Sequence, residues 1–426
     1  MKKVIVVSLI IVFAFSSYCY GDKNSNMPIV KTGLEVLKAS HFKQLEGKKI
    51  GLVTNPSGVD NNMVSIIDIL HNAPNVNLVA LFGPEHGVRG DMYAGAKVED
   101  YNDPTTGLTV YSLYGKTRKA TPEMLKGLDA VVYDIQDNGC RSFTFISSLG
   151  LLMEACAEQG VEVIILDRPN PLGGLKVEGN IVEPDYFSFV SQFEIPYIYG
   201  LTVGELATLL NEEGMLKGEK GKNEISPKCK LTVVPMKGWK RRMVYGDTKL
   251  QWVLPSPQIP QAETSYYYPA SGILGEFINY MSIGVGYTLP FQIFAAEWIV
   301  NAEEFSKKLN ELNLPGVKFR PIHLMPFYAV GAGKQLQGVQ FYFTDYNKAV
   351  LTEVQFYVMQ VVAEMYPEYA VFNYADSSRY RMFDQVTGSN YIRENFAKRH
   401  KFEDIKDYWH KDETKFKKLS KRYYLY

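Results

Sequence analysis

The sequence predicts an α/β protein: a Rossmann-like, doubly wound and mostly parallel sheet joined to a second, smaller α+β domain. Three observations carry this reading. Short, continuously apolar runs such as Leu78-Val79-Ala80-Leu81-Phe82 and Ala130-Val131-Val132-Tyr133 read as strands buried on both faces, the mark of a parallel sheet. Between Lys49 and Val234 such runs alternate with helical stretches, as βαβ units do. Beyond about Gln261 the pattern changes. Val339-Gln340-Phe341-Tyr342-Phe343 alternates with period two, like a half-exposed antiparallel strand. The expected division is a leader at 1–21, a sheet domain at 28–261 and the second domain at 262–426.

The elements follow in order. Lys2-Lys3 precedes an apolar run from Val4 to Phe15 and the small-residue stretch Ser16-Ser17-Tyr18-Cys19-Tyr20-Gly21. The run is too short to span a membrane and its flanks are those of a secretory signal. Export is therefore expected, to the periplasm or beyond the cell. Lipidation at Cys19 fits less well, because Tyr18 suits that motif poorly. Lys49 to Thr54 reads as the first strand and ends in Asn55-Pro56-Ser57-Gly58. A helix over Met63–Leu70 leads to the strand ending in Gly83-Pro84-Glu85-His86-Gly87. Further strands are expected at Thr109–Leu113, Asp129–Ile135, Val161–Leu166 and Lys230–Val234. Helices are expected to start at Pro122 and to cover Phe143–Gln159, closed by Gly160, and Val203–Asn211. In the second domain Ala302–Leu312 and Leu351–Met365 read as helical. The last segment is amphipathic, with Ile405, Tyr408 and Trp409 on one face, and Phe416, Leu419 and Tyr423 on one face.

Composition narrows the function. The 46 Lys and Arg balance 46 Asp and Glu, which argues against a nucleic-acid partner. After the leader, no stretch approaches the roughly 18 uncharged apolar residues of a membrane span. Cys140, Cys156 and Cys229 are too few for a disulfide framework and lack zinc-type spacing. No dinucleotide fingerprint occurs: Gly284-Val285-Gly286 is followed by Leu289, and Gly331-Ala332-Gly333 by Leu336, where the last glycine belongs. Gly115-Lys116-Thr117 resembles the end of a P-loop, but Val110 stands where its first glycine is required. No cofactor and no metal are expected.

The chemistry is read from the strand ends. In open α/β sheets, function gathers beyond the carboxyl ends of the strands. Those ends carry Asn55; Glu85, His86 and Arg89; Asp134, Gln136, Asp137 and Arg141; and Asp167, Arg168 and Asn170. Each cluster alone has a purely structural reading, as a cap or an ion pair, but a parallel sheet delivers all of them to one edge. Carboxylates without a nucleotide motif suit glycoside hydrolysis, which needs a protonated acid and a second group as base or nucleophile. Glu85, ending a buried strand, is the expected general acid, with His86, Asp134 and Asp137 as catalytic neighbours. The remaining strand-end residues, with Glu276, are expected to bind substrate. The partner of Glu85 is sought among Asp134, Asp137 and Glu276, or in the 2-acetamido group of the sugar. Two rival readings stand beside this: a non-catalytic sugar or muropeptide binder, and a hydrolase with a divalent ion on His86, Asp91, Asp134 and Asp137.

Several stretches together resemble the exo-β-N-acetylmuramidase family of peptidoglycan hexosaminidases. They are Gly83-Pro84-Glu85-His86-Gly87 with Arg89-Gly90, Ser112-Leu113-Tyr114-Gly115, Asp134-Ile135-Gln136-Asp137-Asn138-Gly139 with Arg141, and Leu166-Asp167-Arg168-Pro169-Asn170-Pro171. Gly200-Leu201-Thr202-Val203-Gly204-Glu205-Leu206, Pro255-Ser256-Pro257 and the closing Tyr424-Leu425-Tyr426 extend the match over nearly all of the mature chain. The resemblance implies an exported enzyme that removes N-acetylmuramic acid from the non-reducing ends of peptidoglycan-derived sugars, with a cleft between a Rossmann-like domain and a smaller one. One stretch departs from the family. Val285 replaces an arginine, and Glu276 is out of register with the usual glutamate. Arg89, Arg141 and Arg168 remain as candidates for the lactyl carboxylate of the muramic sugar.

Overall fold

The computed structural model describes residues 30–90, 99–219, 221 and 225–426. The leader and Asp91 lie outside the described residues. A seven-stranded sheet dominates the first half. It is built from β1 (Lys49–Thr54), β2 (Asn77–Gly83), β3 (Tyr101–Asn102), β4 (Thr109–Ser112), β5 (Ala130–Asp134), β6 (Glu162–Leu166) and β7 (Leu231–Val234), in the order β3-β4-β2-β1-β5-β6-β7. All pairings are parallel except that of the short edge strand β3 with β4.

Side-chain alternation shows why these strands are apolar throughout. Ala130 and Val132 of β5 point into one core with Leu52 and Leu81; Val131 and Tyr133 point into the other with Phe82 and Ile165. Helices α1 (Gly33–Ala39) and α2 (Ile66–Asn72) cover the first face. The second is covered by α3 (Pro122–Leu125), α4 (Phe145–Gln159) and α5 (Val203–Glu212). Helix α2 starts later than its apolar pattern suggests. Ser65 caps it by accepting from Ile67 N, and Asp60 holds the preceding turn by accepting from the backbone of Asn62 and Val64.

After the sheet comes α6 (Thr264–Gly275), a helix that its pattern does not announce. The smaller unit contains β8 (Ile293–Ala296), α7 (Ala302–Glu311), β9 (Val317–Leu324), β10 (Leu336–Phe343) and α8 (Glu353–Met365). Its antiparallel sheet has the order β8-β10-β9. The expected strand at Val339–Phe343 is the centre of that sheet, longer than expected and with Gln340 buried, because both of its edges are paired. Phe294, Phe319 and Phe341 on one face join the same core as Val131 and Tyr133 of the large sheet. The chain closes with α9 (Val371–Tyr374), α10 (Tyr380–Thr387), α11 (Asn390–Arg399), α12 (Glu403–His410) and α13 (Glu413–Ser420). Ile405, Trp409 and Phe416 of this tail are buried in that common core. No helix among the described residues is long and apolar enough to cross a membrane.

Candidate active site

Parallel pairing brings the ends of β1, β2, β4, β5 and β6 to one edge, and the structure sorts the polar residues gathered there. The crevice between β1 and β5 is filled by its own hydrogen bonds. Gln136 N donates to Ser57 Oγ at 2.9 Å, Ser57 N donates to Asn55 Oδ1 at 3.0 Å, and Asn55 Nδ2 donates to Pro255 O at 3.0 Å. The Gln136 amide is held by the carbonyls of Asp137 and Pro169, both at 2.8 Å. Asn170 bridges Leu201 O and Leu172 N. These residues frame the edge.

Three of the expected ligands are engaged with the protein itself. Arg168 Nη2 lies 2.9 Å from Asp134 Oδ2 and its Nε bonds the other oxygen, so this fully buried carboxylate is held by a bidentate guanidinium. Arg89 pairs in the same way with Asp103, at 3.0 Å on both oxygens. Arg141 is completely buried and donates to three carbonyls: Asn180 at 2.8 Å, Ile195 at 2.6 Å and Val386 at 2.9 Å. Burial lowers its pKa to about 10. Asp167 is likewise absorbed. It accepts from Thr202 Oγ1 at 2.7 Å, Gly204 N at 2.8 Å and Tyr426 Oη at 2.7 Å. It anchors the start of α5 and the last residue of the chain, and burial pushes its pKa up to about 6.

Asp137 is buried beside Tyr199, whose hydroxyl donates to Oδ2, and Gly139 N reaches the same oxygen at 2.8 Å. Burial pushes its pKa up to about 6 against these bonds. Its Oδ1, Gln136 Oε1 and both polar atoms of the Asn138 side chain are buried without a protein hydrogen-bond partner. Three successive residues carrying such atoms are unusual in a native fold.

Glu85 stays half-buried on the turn after β2. Thr144 Oγ1 donates to its Oε2 at 3.2 Å, and the Tyr114 hydroxyl is hydrogen-bonded to it. Burial, then the charge of Glu85, pushes the Tyr114 pKa up to about 12. His86 beside it is buried with φ of 74°. A left-handed conformation in a non-glycine residue stores strain and concentrates at functional sites.

Glu276 is the first residue after α6. Tyr268 of α6 lies within reach of the charges of both Glu276 and Glu85, which help burial raise its hydroxyl pKa well above the ordinary value. The Tyr268 hydroxyl bonds Ser142 Oγ at 3.2 Å, and its ring meets Phe143 and Phe291 edge-on at 5.6 and 4.9 Å. Arg379 Nη2 lies 3.2 Å from Glu276 Oε2. Burial nevertheless prevails and pushes the Glu276 pKa up to about 7, with Arg379 opposing it. Val285, at the departing position, is half-buried and packs against the main core.

Sequence reasoning left Tyr114, Thr144, Ser142 and Tyr268 out of the site. Tyr114 lies in Ser112-Leu113-Tyr114-Gly115, one of the stretches that resemble the family. Tyr268 closes the run Tyr266-Tyr267-Tyr268 before Pro269, a signal that aromatic packing explains equally well. Among the described residues, no group of three or more His, Cys, Asp or Glu could hold a metal ion. Of the rival ligand set, Asp134 is committed to Arg168.

Comparison with known proteins covers nearly all of the chain. Residues 50–263 match the family model for the exo-beta-N-acetylmuramidase NamZ N-terminal part, and residues 266–426 match that for its C-terminal part. The chain is 42% identical over 405 residues to the peptidoglycan beta-N-acetylmuramidase NamZ of Bacillus subtilis strain 168, covering 95% of this chain and 93% of that protein. Two crystal structures of DUF1343 family proteins from Bacteroides fragilis NCTC 9343 share the fold. One is 61% identical with a TM-score of 0.88, the other 28% identical with a TM-score of 0.73; each match covers 93% of this chain and 99% of the other.

Proposed function

The chain belongs to the NamZ exo-beta-N-acetylmuramidase family and is a peptidoglycan glycosidase, and from that premise we propose that it is exported and releases N-acetylmuramic acid from the non-reducing ends of peptidoglycan fragments. The observation that carries the reading is Glu85, half-buried on the turn after β2 at the carboxyl edge of the sheet, held by Thr144 and hydrogen-bonded to Tyr114. Glycosidases need one carboxyl protonated and one group acting as base or nucleophile. Glu276, with its pKa pushed up to about 7 by burial, fits the acid. Glu85, an acceptor for Thr144 and hydrogen-bonded to Tyr114, fits the complementary carboxylate. The sequence favours Glu85 as the acid; this division of roles reverses that expectation and keeps both residues in the reaction. Export is supported by the charged, apolar and small-residue succession over Lys2–Gly21 and by the location of peptidoglycan outside the cytoplasm.

The test is incubation with chromogenic β-glycosides of N-acetylmuramic acid and N-acetylglucosamine and with a muramyl-terminated disaccharide. Release of the muramic sugar alone supports the reading. Release of N-acetylglucosamine in preference, or cleavage only within longer chains, overturns it.

A further inference from the structure

We propose that the rings of Tyr287 and Phe327, with Tyr328 beside them, form a stacking platform for the sugar ring on the leaving-group side of the scissile bond. The proposal rests on the glycosidase reading above and adds to it a subsite that the carboxylates do not supply.

Most aromatic residues here are packed inward, but Phe327 is 73% exposed and Tyr328 54% exposed. Tyr287 and Phe327 stack with centroids 5.9 Å apart and planes 24° from parallel. Adjacent exposed rings of this kind mark interaction surfaces. They are also held in place. Phe327 N donates to Gly286 O at 2.8 Å, and Gln258 Nε2 donates to Tyr328 Oη at 2.7 Å. Gly286 has φ of 89°, and a Cβ there would lie 1.9 Å from Tyr328 O. Gly284 has φ of 90°, and a Cβ there would lie 2.0 Å from Leu289 O. Glycine at 286 lets the two loops close on each other, and glycine at 284 lets the first fold back on itself. A preorganised platform lowers the ordering cost of binding.

Its place in the fold joins it to the site from two directions. Three residues before Gln258, the carbonyl of Pro255 is bonded by Asn55 at the end of β1, the strand beside β2 and Glu85. At the other end of the Tyr287 loop, Phe291 packs on Tyr268, whose hydroxyl bonds Ser142, two residues from the Thr144 that donates to Glu85. An enzyme that removes a terminal sugar holds that sugar at its carboxylates, so the next ring lies outward at the rim. A pyranose presents an apolar face of C–H groups to an aromatic ring and hydroxyls at its edge to groups such as Gln258. A second copy of the chain is a poorer occupant. Three part-exposed rings offer at most a few hundred Å², against about 800 Å² per partner in a standard interface.

The experiment compares the full chain with its Phe327→Ala and Tyr287→Ala variants. The substrates are the disaccharide of N-acetylmuramic acid β-linked to N-acetylglucosamine and the methyl β-glycoside of N-acetylmuramic acid. Phe327 is so exposed that its truncation leaves no cavity, and an unchanged melting temperature verifies folding. The expected result is a KM for the disaccharide raised about tenfold with kcat/KM on the methyl glycoside unchanged. Equal losses on both substrates, or a loss on neither, overturn the platform. Hydrolysis of neither substrate by the wild-type chain sinks the underlying reaction instead. Calorimetric titration with the trimer of N-acetylglucosamine then decides the platform: binding weakened in the variants supports it, and equal or absent binding overturns it. A variant that turns from dimer to monomer in sedimentation with KM unchanged also overturns it.

Discussion

At the scale of single residues, the site is defined by how the fold holds each polar group. Asp134, Arg168, Arg89 and Arg141 look equally reactive in the sequence, yet each is bound to a partner inside the protein. Glu85 is held by Thr144 and Tyr114, and Glu276 by Arg379. Glu85→Gln is expected to lower turnover by roughly two to four orders of magnitude, the worth of a positioned acid or base. A folded variant with near-normal turnover removes Glu85 from the reaction. The acid role of Glu276 has a pH signature. With a pKa of about 7, its proton is present below that pH and lost above it, so kcat should fall on the alkaline side of about 7. Arg379 favours the charged form, so Arg379→Gln should raise the Glu276 pKa and carry that limb to higher pH. A limb that stays in place in the kcat–pH profile rules out Glu276 as the donor.

At the scale of elements, the closing helices are tied down by charge as well as by apolar packing. His410 of α12 sits between Glu353 of α8, at 2.9 Å, and Glu413 of α13. Burial opposes its charge, but the two carboxylates outweigh burial and raise its pKa to about 9. A raised histidine pKa adds stability that is full below the unfolded value near 6.5 and disappears as pH rises through about 9. The melting temperature of the wild type should therefore exceed that of His410→Ala by a margin that is largest near pH 6 and small near pH 10. An equal margin at both pH values would show that His410 acts by packing alone. The element boundaries follow local chemistry. Helix α5 was expected to start at Val203 and does so, because Thr202 and Glu205 form a reciprocal capping box. Helix α6 was not anticipated: its Tyr266-Tyr267-Tyr268-Pro269 run is poor in strong helix formers and has a proline inside. It is held by tertiary contacts, among them Gln355 Oε1 accepting from Leu274 N at 3.1 Å and Gln355 Nε2 donating to Pro269 O at 2.9 Å.

At the scale of the whole molecule, the two sheets share one core, and Arg141 fastens the first half of the chain to the closing helices. Its guanidinium reaches Asn180 and Ile195 in the first half and Val386 at the end of α10. Arg141→Met keeps the volume of the stem but strands three buried carbonyls, a loss on the order of 3–5 kcal/mol. A marked fall in the urea midpoint is the expected result, and a midpoint that does not move would show that the carbonyls find other partners. Because Arg141, Arg89 and Arg168 are all engaged internally, substituting any of them should lower stability without altering the choice between muramic sugar and N-acetylglucosamine. The ratio of kcat/KM for the two glycosides, measured on variants that remain folded, checks this.

What the sequence by itself determined is local. Apolar runs marked six of the seven strands of the large sheet, and polar residues marked where four of those six end. A glutamate on a Gly-Pro-Glu-His-Gly turn was legible as a candidate from that position alone. The stretches shared with the family identified it. These signals are written within a few residues, because strand burial, turn chemistry and capping act over that range. What only the tertiary structure decided is pairing. Glu276 meets Arg379 across 103 positions and Arg141 meets Val386 across 245. Such partners are chosen by how helices and sheets pack. The same packing sets whether a charged group is desolvated, neutralised or left facing the cleft. Periodicity carries no record of that choice, which is why three arginines that read as substrate ligands are bonded within the protein, and why Tyr268 was not read as part of the site.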